Sequence, residues 1–249
     1  MFAKRTCTLI ASLVLALAPL AASAGQVDVS PVRFTFGPGQ SIGTLSLANV
    51  GVDPLRMQLR VFAWTQAPDG SMKLSPTDDI IVFPTLLTIA PGASRQVRVG
   101  YEGPKPQVER TYRIFVEELP SLEGLQRGLS LTMRARVGVP IFVQPPNAKP
   151  QGRITGVAVR RNHIEVGLEN AGTAFMMASN VAVRALDAGG NPILGLQQAG
   201  WYVLAGDRRT YDFTIPSTAC SRIHGIALDI TTDSGATLRE TRPVQSSCS

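Results

Sequence analysis

Apolar side chains recur at every second position in one short run after another, and glycine and proline break the runs. Gln26-Val-Asp-Val-Ser30, Thr44-Leu-Ser-Leu-Ala48 and Met57-Gln-Leu-Arg-Val-Phe-Ala-Trp64 all alternate, punctuated by Gly37-Pro-Gly39, Asn49-Val-Gly51 and Asp69-Gly70. A period of two sends successive side chains to opposite faces, so each run reads as a half-buried strand. Pro91-Gly92 is a turn dipeptide that separates Thr85 to Ala90 from Ser94 to Tyr101, and a further strand follows at Thr111 to Glu117. The i, i+3, i+4, i+7 spacing of an amphipathic helix is missing, although Val181 to Leu186 offers a turn of one. Many short strands at spacings of roughly 8–12 residues predict an all-β protein built of antiparallel sandwiches.

The best boundary between sandwiches is Gln144-Pro-Pro-Asn-Ala-Lys-Pro150, because three prolines in seven residues cannot continue a central sheet. Strands resume at Ile154 to Arg160, Ile164 to Glu169, Val181 to Arg184, Arg209 to Ile215 and Ile226 to Thr232. The expected organisation is residues 25–146 and 147–249, each close to the roughly 100 residues of one immunoglobulin-like sandwich. Residues 1–24 read as a signal peptide: Lys4 and Arg5 precede an apolar run from Leu9 to Leu20, and Ala22-Ser-Ala24 is a small-residue cleavage site before Gly25. That run is shorter than the roughly 20 residues of a membrane span, so the expectation is an exported chain without a membrane-inserted segment. With 44% hydrophobic and 17% charged residues, the chain belongs to the folded class.

Cleavage removes Lys4 and Arg5, which lowers the formal net charge from +6 to +4. No Lys/Arg-rich run remains, which argues against nucleic-acid binding. Cys7 leaves with the signal, and the remaining Cys220 and Cys248 are free to pair in an oxidising compartment. Such a bridge is worth roughly 3–4 kcal/mol by loop-closure entropy. The histidines are His163 and His224, too few for a metal centre or a Ser/His/Asp set, and no CxxC, nucleophile elbow or phosphate-binding glycine loop occurs. The paired carboxylates Asp78-Asp79 and Glu117-Glu118 read as a solvated loop and a strand end rather than as acid/base catalysts. Neither an enzyme nor a cofactor or metal protein is expected; binding is.

One run stands apart. From Leu129 to Val143 every odd position is apolar, in the order Leu129, Leu131, Met133, Ala135, Val137, Val139, Ile141, Val143, and Arg134 and Arg136 lie on the other face. Fifteen residues far exceed the usual five or six of a strand. Burial in its own sandwich is the plain explanation. However, Pro140 points to an edge, a bulge or a change of sheet, and an apolar edge strand is a hazard unless a partner covers it.

Several motifs, in order along the chain, resemble the PapD-like periplasmic chaperones of the chaperone–usher pilus pathway. They are Val29-Ser-Pro-Val-Arg-Phe34, Asn49-Val-Gly51, Trp64, Phe83 to Gly92 followed by Arg95-Gln-Val-Arg-Val99, and Tyr112 to Pro120 ending in Glu118-Leu-Pro. The resemblance implies two immunoglobulin-like domains in a boomerang, in the periplasm. It also implies that the seventh strand of the first domain completes a pilin subunit lacking its own last strand, a form of strand addition. On that reading Leu129, Leu131, Met133 and Ala135 enter the subunit's groove. The partners are pilin subunits and an outer-membrane usher, and self-association is one way to mask the donor edge in the free chain. The family anchors the subunit's C-terminal carboxylate with an arginine of the first strand, matched by Arg33, and a lysine of the seventh, whose position falls on Pro140. Arg134 and Arg136 are the nearby alternatives, since a guanidinium fork suits a carboxylate. That departure, with Gly200 to Phe213 of the second domain, points to the archaic, spore-coat-U-associated branch. Trp201 and Tyr202 read as core or domain-interface aromatics. A secreted immunoglobulin-like adhesin or structural pilus subunit is the alternative.

Overall fold

The computed structural model describes residues 27–120 and 134–248. The described residues form 19 strands and one short helix. The first ten strands are β1 (Val27–Ser30), β2 (Phe34–Phe36), β3 (Ile42–Asn49), β4 (Leu55–Gln66), β5 (Met72–Ser75), β6 (Ile80–Phe83), β7 (Leu86–Ile89), β8 (Ser94–Tyr101), β9 (Arg110–Glu118) and β10 (Arg136–Val143). They make two sheets, β1-β3-β8-β6 and β2-β10-β9-β4-β5, with β7 also paired to β4. Inward-facing Leu45, Leu47, Met57, Val97, Val99, Ile114, Val116, Val139 and Ile141 fill the space between them.

The second half contains β11 (Gly152–Arg160), β12 (His163–Asn170), β13 (Met176–Leu186), β14 (Pro192–Ala199), β15 (Tyr202–Val203), β16 (Arg208–Thr214), α1 (Ser217–Cys220), β17 (Gly225–Thr232), β18 (Thr237–Pro243) and β19 (Ser246–Ser247). Its sheets run β16-β12-β11-β19 and β14-β13-β17-β18, with β15 on β13, around a separate core. No pairing among the described residues joins a strand of β1–β10 to one of β11–β19, so the molecule is two β-sandwich domains. Cys220 and Cys248 are bonded, with their Cα atoms 5.8 Å apart, and tie α1 to the C-terminal end of the chain.

Val181 to Leu186, read both as a strand from Val181 to Arg184 and as a turn of helix, is the C-terminal half of β13. Val181, Val183 and Ala185 alternate into the core while β14 and β17 pair on either side. The Asn49-Val-Gly51 turn is held by its own asparagine: Asn49 Nδ2 donates to the carbonyls of Asp53 and Ile89, and Oδ1 accepts from Gly51 N–H. Gly92, at φ +68°, closes the Pro91-Gly92 turn against the Asn49 carbonyl.

Two strands carry the site. β9 is central, with β4 on one side and β10 on the other, and its residues Tyr112 to Val116 are buried without interruption. Tyr112, Ile114 and Val116 belong to the sandwich core, whereas Arg113 and Phe115 are buried on the outer face. The second domain covers one end of that outer face. Trp64, Phe142, Tyr202 and Leu204 form a core of their own, joined by Phe175 and Met177. Gln66 closes the polar edge of this junction, donating to the Tyr202 carbonyl at 2.8 Å and accepting from Leu204 N–H at 3.3 Å.

The long alternating run lies partly outside the described residues. Leu129, Leu131 and Met133 lie outside the described residues. β10 spans Arg136–Val143, and its odd positions Val137, Val139, Ile141 and Val143 point into the sandwich of their own domain. Ala135 also packs against that core rather than standing out from the sheet, because Glu118 holds its backbone at both ends: Ala135 N–H donates to the Glu118 carboxylate and Ala135 O accepts from Glu118 N–H.

Candidate functional site

The first-strand segment changes sheets between β1 and β2: β1 pairs antiparallel with β3, and β2 runs parallel to β10. β2 covers only Ile141–Val143 of β10, extended by a Gln144 N–H bond to the Phe36 carbonyl. From Arg136 to Pro140 the main chain of β10 has no partner on that side among the described residues, while its other side is fully paired with β9. An edge of this kind is a template for an added strand. Pro140, which lacks an N–H, sits where the covered and open parts of the edge meet.

Two arginines flank Pro140 in register, and a third lies farther along its strand. On the β9 side Arg113 is directly opposite it. On the β2 side Arg33 immediately precedes Phe34, the partner of Ile141, so register brings it to the neighbouring position. Along β10 itself, Arg136 lies on the same outward face. The three differ in how much of their charge is already used. Arg136 bonds Glu117 at 2.8 Å and lies over the Phe115 ring at 4.1 Å, and Glu117 is shared with Arg60 at 3.4 Å. Arg134 is exposed just ahead of β10. Arg33 reaches Asp233 of the second domain at 3.5 Å and lies over the Phe175 ring at 5.3 Å.

Arg113 is the residue that the sequence reading missed. Its guanidinium lies over the Trp64 ring at 5.1 Å, its Nη2 donates to the Gly138 carbonyl at 3.4 Å, and its Nε has no hydrogen-bond partner. It has no carboxylate partner among the described residues, and burial pulls its pKa below the ordinary arginine value. A buried cation without a counter-charge is expensive, which makes Arg113 a candidate to receive an anion. Gly138 makes the space: a Cβ there would lie 2.7 Å from Arg113 Nε. The signal in the sequence was Arg113 and Phe115 alternating with core residues on a strand too apolar to have a solvated face.

Arg33 and Arg113 bracket one aromatic stack. Phe175 stacks on Phe142 at 3.8 Å, Phe142 packs on Trp64 at 6.1 Å, and Tyr202 meets Trp64 edge-on at 5.7 Å. Tyr202 is therefore a domain-interface aromatic, and Trp201 covers its edge at 5.5 Å while remaining 40% exposed. Glu109 holds the stack from behind: its carboxylate accepts from Phe175 N–H at 2.8 Å and from Gln144 Nε2 at 2.9 Å. Burial pushes this carboxyl up to about 7, against the lowering effect of those two hydrogen bonds.

The carboxylate pairs have structural roles. Glu117-Glu118 is the strand end expected, bonded to Arg60, Arg136 and Ala135. Asp79 is not a solvated loop residue as its sequence neighbourhood suggests: it accepts from Tyr112 Oη at 2.6 Å and Arg110 Nη1 at 2.9 Å, because β9 runs beneath it. His163 pairs with Asp212 at 2.9 Å on the surface. Among the described residues no cluster of His, Cys, Asp or Glu is suited to hold a metal ion, and no helix is long and apolar enough to cross a membrane.

Residues 26–149 match the family model of the pili and flagellar-assembly chaperone, PapD N-terminal domain. Comparison with curated proteins gives no match. Among solved structures, the chain is similar to one in the CsuC–CsuE chaperone–tip adhesion subunit pre-assembly complex from the archaic chaperone-usher Csu pili of Acinetobacter baumannii. The TM-score is 0.59 at 22% identity, over 88% of this chain and 98% of that one. It is also similar to a chain of the Salmonella enterica complex of SafA pilin with the SafB chaperone, with TM-score 0.54, 21% identity and coverage of 90% and 98%. The Pseudomonas aeruginosa CupB2 chaperone matches with TM-score 0.53, 15% identity and coverage of 88% and 100%. At such identities these likenesses establish the shared two-sandwich fold, and the family model adds the lineage. The chain belongs to the PapD-like family of pilus-assembly chaperones.

Proposed function

We propose that the chain is a periplasmic chaperone that captures pilin subunits by donating a strand, shields their exposed cores and delivers them to an outer-membrane usher. The single observation that carries this reading is the open main-chain edge of β10 from Arg136 to Pro140, which ends where the backbone register sets Arg33 on one side and Arg113 on the other. A subunit strand laid along this edge gains main-chain hydrogen bonds, and its terminal carboxylate arrives at an end of the edge flanked in register by two arginines. Arg113 then takes the place left empty by Pro140 at the family's lysine position, with Arg134 and Arg136 contributing charge along the same face. Leu129, Leu131 and Met133 precede the edge in sequence and extend it with the apolar row that enters the subunit's groove. Ala135, already packed in its own domain, marks where that row passes from the subunit's core to the chaperone's. This work is binding work and calls for no cofactor.

The test is co-purification of periplasmic tagged protein with the products of neighbouring genes. Wild type is expected to bring down a small subunit, and Met133→Asp and Arg33→Ala are expected to lose it while remaining folded. Retained capture by Met133→Asp sinks strand donation. Polymerisation of the chain itself would favour the structural-subunit alternative.

A further inference from the structure

The contacts on Arg33 divide its guanidinium into a face and an edge. Phe175 takes the face, at 5.3 Å from Cζ to the ring centre. A ring in that position leaves the N–H groups free to bind a carboxylate in plane. Asp233 takes the edge: its Oδ2 lies 3.5 Å from Arg33 Nη1. Both groups come from the second domain, yet they are held differently. Phe175 is fixed, stacked on Phe142 at 3.8 Å with its N–H bound to Glu109. Asp233 is presented by a rigid turn after β17. Its own N–H bonds the Met177 carbonyl at 2.9 Å, and Gly235 closes the turn on the Thr232 carbonyl at 3.0 Å. Its carboxylate nevertheless makes one long contact, beyond the roughly 2.7–2.9 Å of a strong charge-assisted bond. The Arg33 and Asp233 side chains are 39% and 37% exposed, so solvent and ligand can both reach the pair.

We propose that Asp233 is a resident competitor at the anchor: its carboxylate occupies Arg33 in the free chain, and a client's terminal carboxylate must displace it. This rests on Arg33 being the anchor, as proposed above. The device sets a threshold. A carboxylate that also engages Arg113 and is backed by strand pairing exceeds what one long, half-exposed contact offers, whereas an isolated anion does not. Displacement also frees one of the contacts between the domains, so capture is coupled to the junction.

The experiment uses a fluorescent peptide of alternating threonine and valine with a free C-terminal carboxylate, its amidated twin, and anisotropy titrations of the full-length mature chain. The proteins are wild type, Asp233→Asn, Asp233→Ala, Arg33→Ala and the Arg33→Ala/Asp233→Asn double variant. Both Asp233 variants are expected to bind the free-acid peptide roughly two- to fivefold tighter than wild type, the range set by a partly exposed ion pair. Binding of the amidated peptide should stay unchanged, and the gain should vanish in the double variant. If wild type prefers the free acid, Arg33→Ala loses that preference, and the Asp233 variants bind no tighter, the competitor is overturned while the anchor stands. If no protein distinguishes the two peptides, including by binding neither, the anchor falls and the competitor with it.

Discussion

Arg113 and Glu109 are two buried charges of opposite sign, and neither is neutralised by the other. Replacing Arg113 by methionine keeps volume and removes an uncompensated cation, so Arg113→Met should leave thermal stability unchanged or raised. It should weaken client capture roughly 10- to 100-fold, the worth of a charged hydrogen bond; pull-down affinity and a melting curve on the same sample check both halves. Glu109 makes the domain junction sensitive to pH. Its carboxyl titrates near 7 when folded, against an ordinary 4.5. The folded chain therefore holds a proton that the unfolded chain has lost, and this contribution is complete below about 4.5 and disappears as pH rises towards 7. Denaturant unfolding should show stability falling by up to about 3 kcal/mol across that window, and Glu109→Gln should flatten the dependence. A slope unchanged by Glu109→Gln would assign the effect elsewhere. Sequence marked Arg113 only as a charge on a strand too apolar to have a solvated face and gave no sign of Glu109, because the groups that pack on them, Trp64 and Gly138 for the one and Gln144 and Phe175 for the other, come from other elements.

At the scale of the element, β10 turns its odd positions into its own sandwich and leaves part of one main-chain edge open. The period-two pattern was legible in the sequence from Leu129 to Val143, and so was the conflict posed by Pro140. Which neighbour each apolar residue meets was not, since alternation specifies a face and says nothing of whose core that face enters. Gly138 is the element's most informative position: its missing side chain gives Arg113 room to reach across from β9. Gly138→Ala should push the guanidinium aside at small cost, because the obstructing atoms are the far end of a flexible chain. Capture should weaken in Gly138→Ala and change little further when Arg113→Met is added. Fully additive losses in that double-mutant cycle would show that the two act separately.

The whole molecule is two sandwiches joined by an aromatic core rather than by a bare linker. Besides that core, the loop between β4 and β5 touches β16, where Arg209 donates to the Gly70 carbonyl at 3.1 Å and Thr210 N–H to Pro68 at 3.1 Å. Tyr202→Ala should cost about 3 kcal/mol, as for other large aromatic truncations. It should also turn a coupled unfolding transition into two in calorimetry, because it removes the residue that touches Trp64, Phe142 and Phe175 together. Removing the Cys220–Cys248 bond by double alanine substitution should lower the second domain alone by roughly 3–4 kcal/mol.

Sequence by itself determined the β character, the pairs of strands flanking each Gly/Pro break and the resemblance to a chaperone family. Those depend on local period and turn chemistry, which neighbouring residues set. It also singled out Arg33 as a candidate, because a first-strand motif is contiguous. Arg113, Glu109 and Asp233 were decided only by tertiary structure. Their roles depend on desolvation and on partners far along the chain, as in the 200 positions that separate Arg33 from Asp233. A charge acquires meaning from what surrounds it in space, and no one-dimensional pattern carries that.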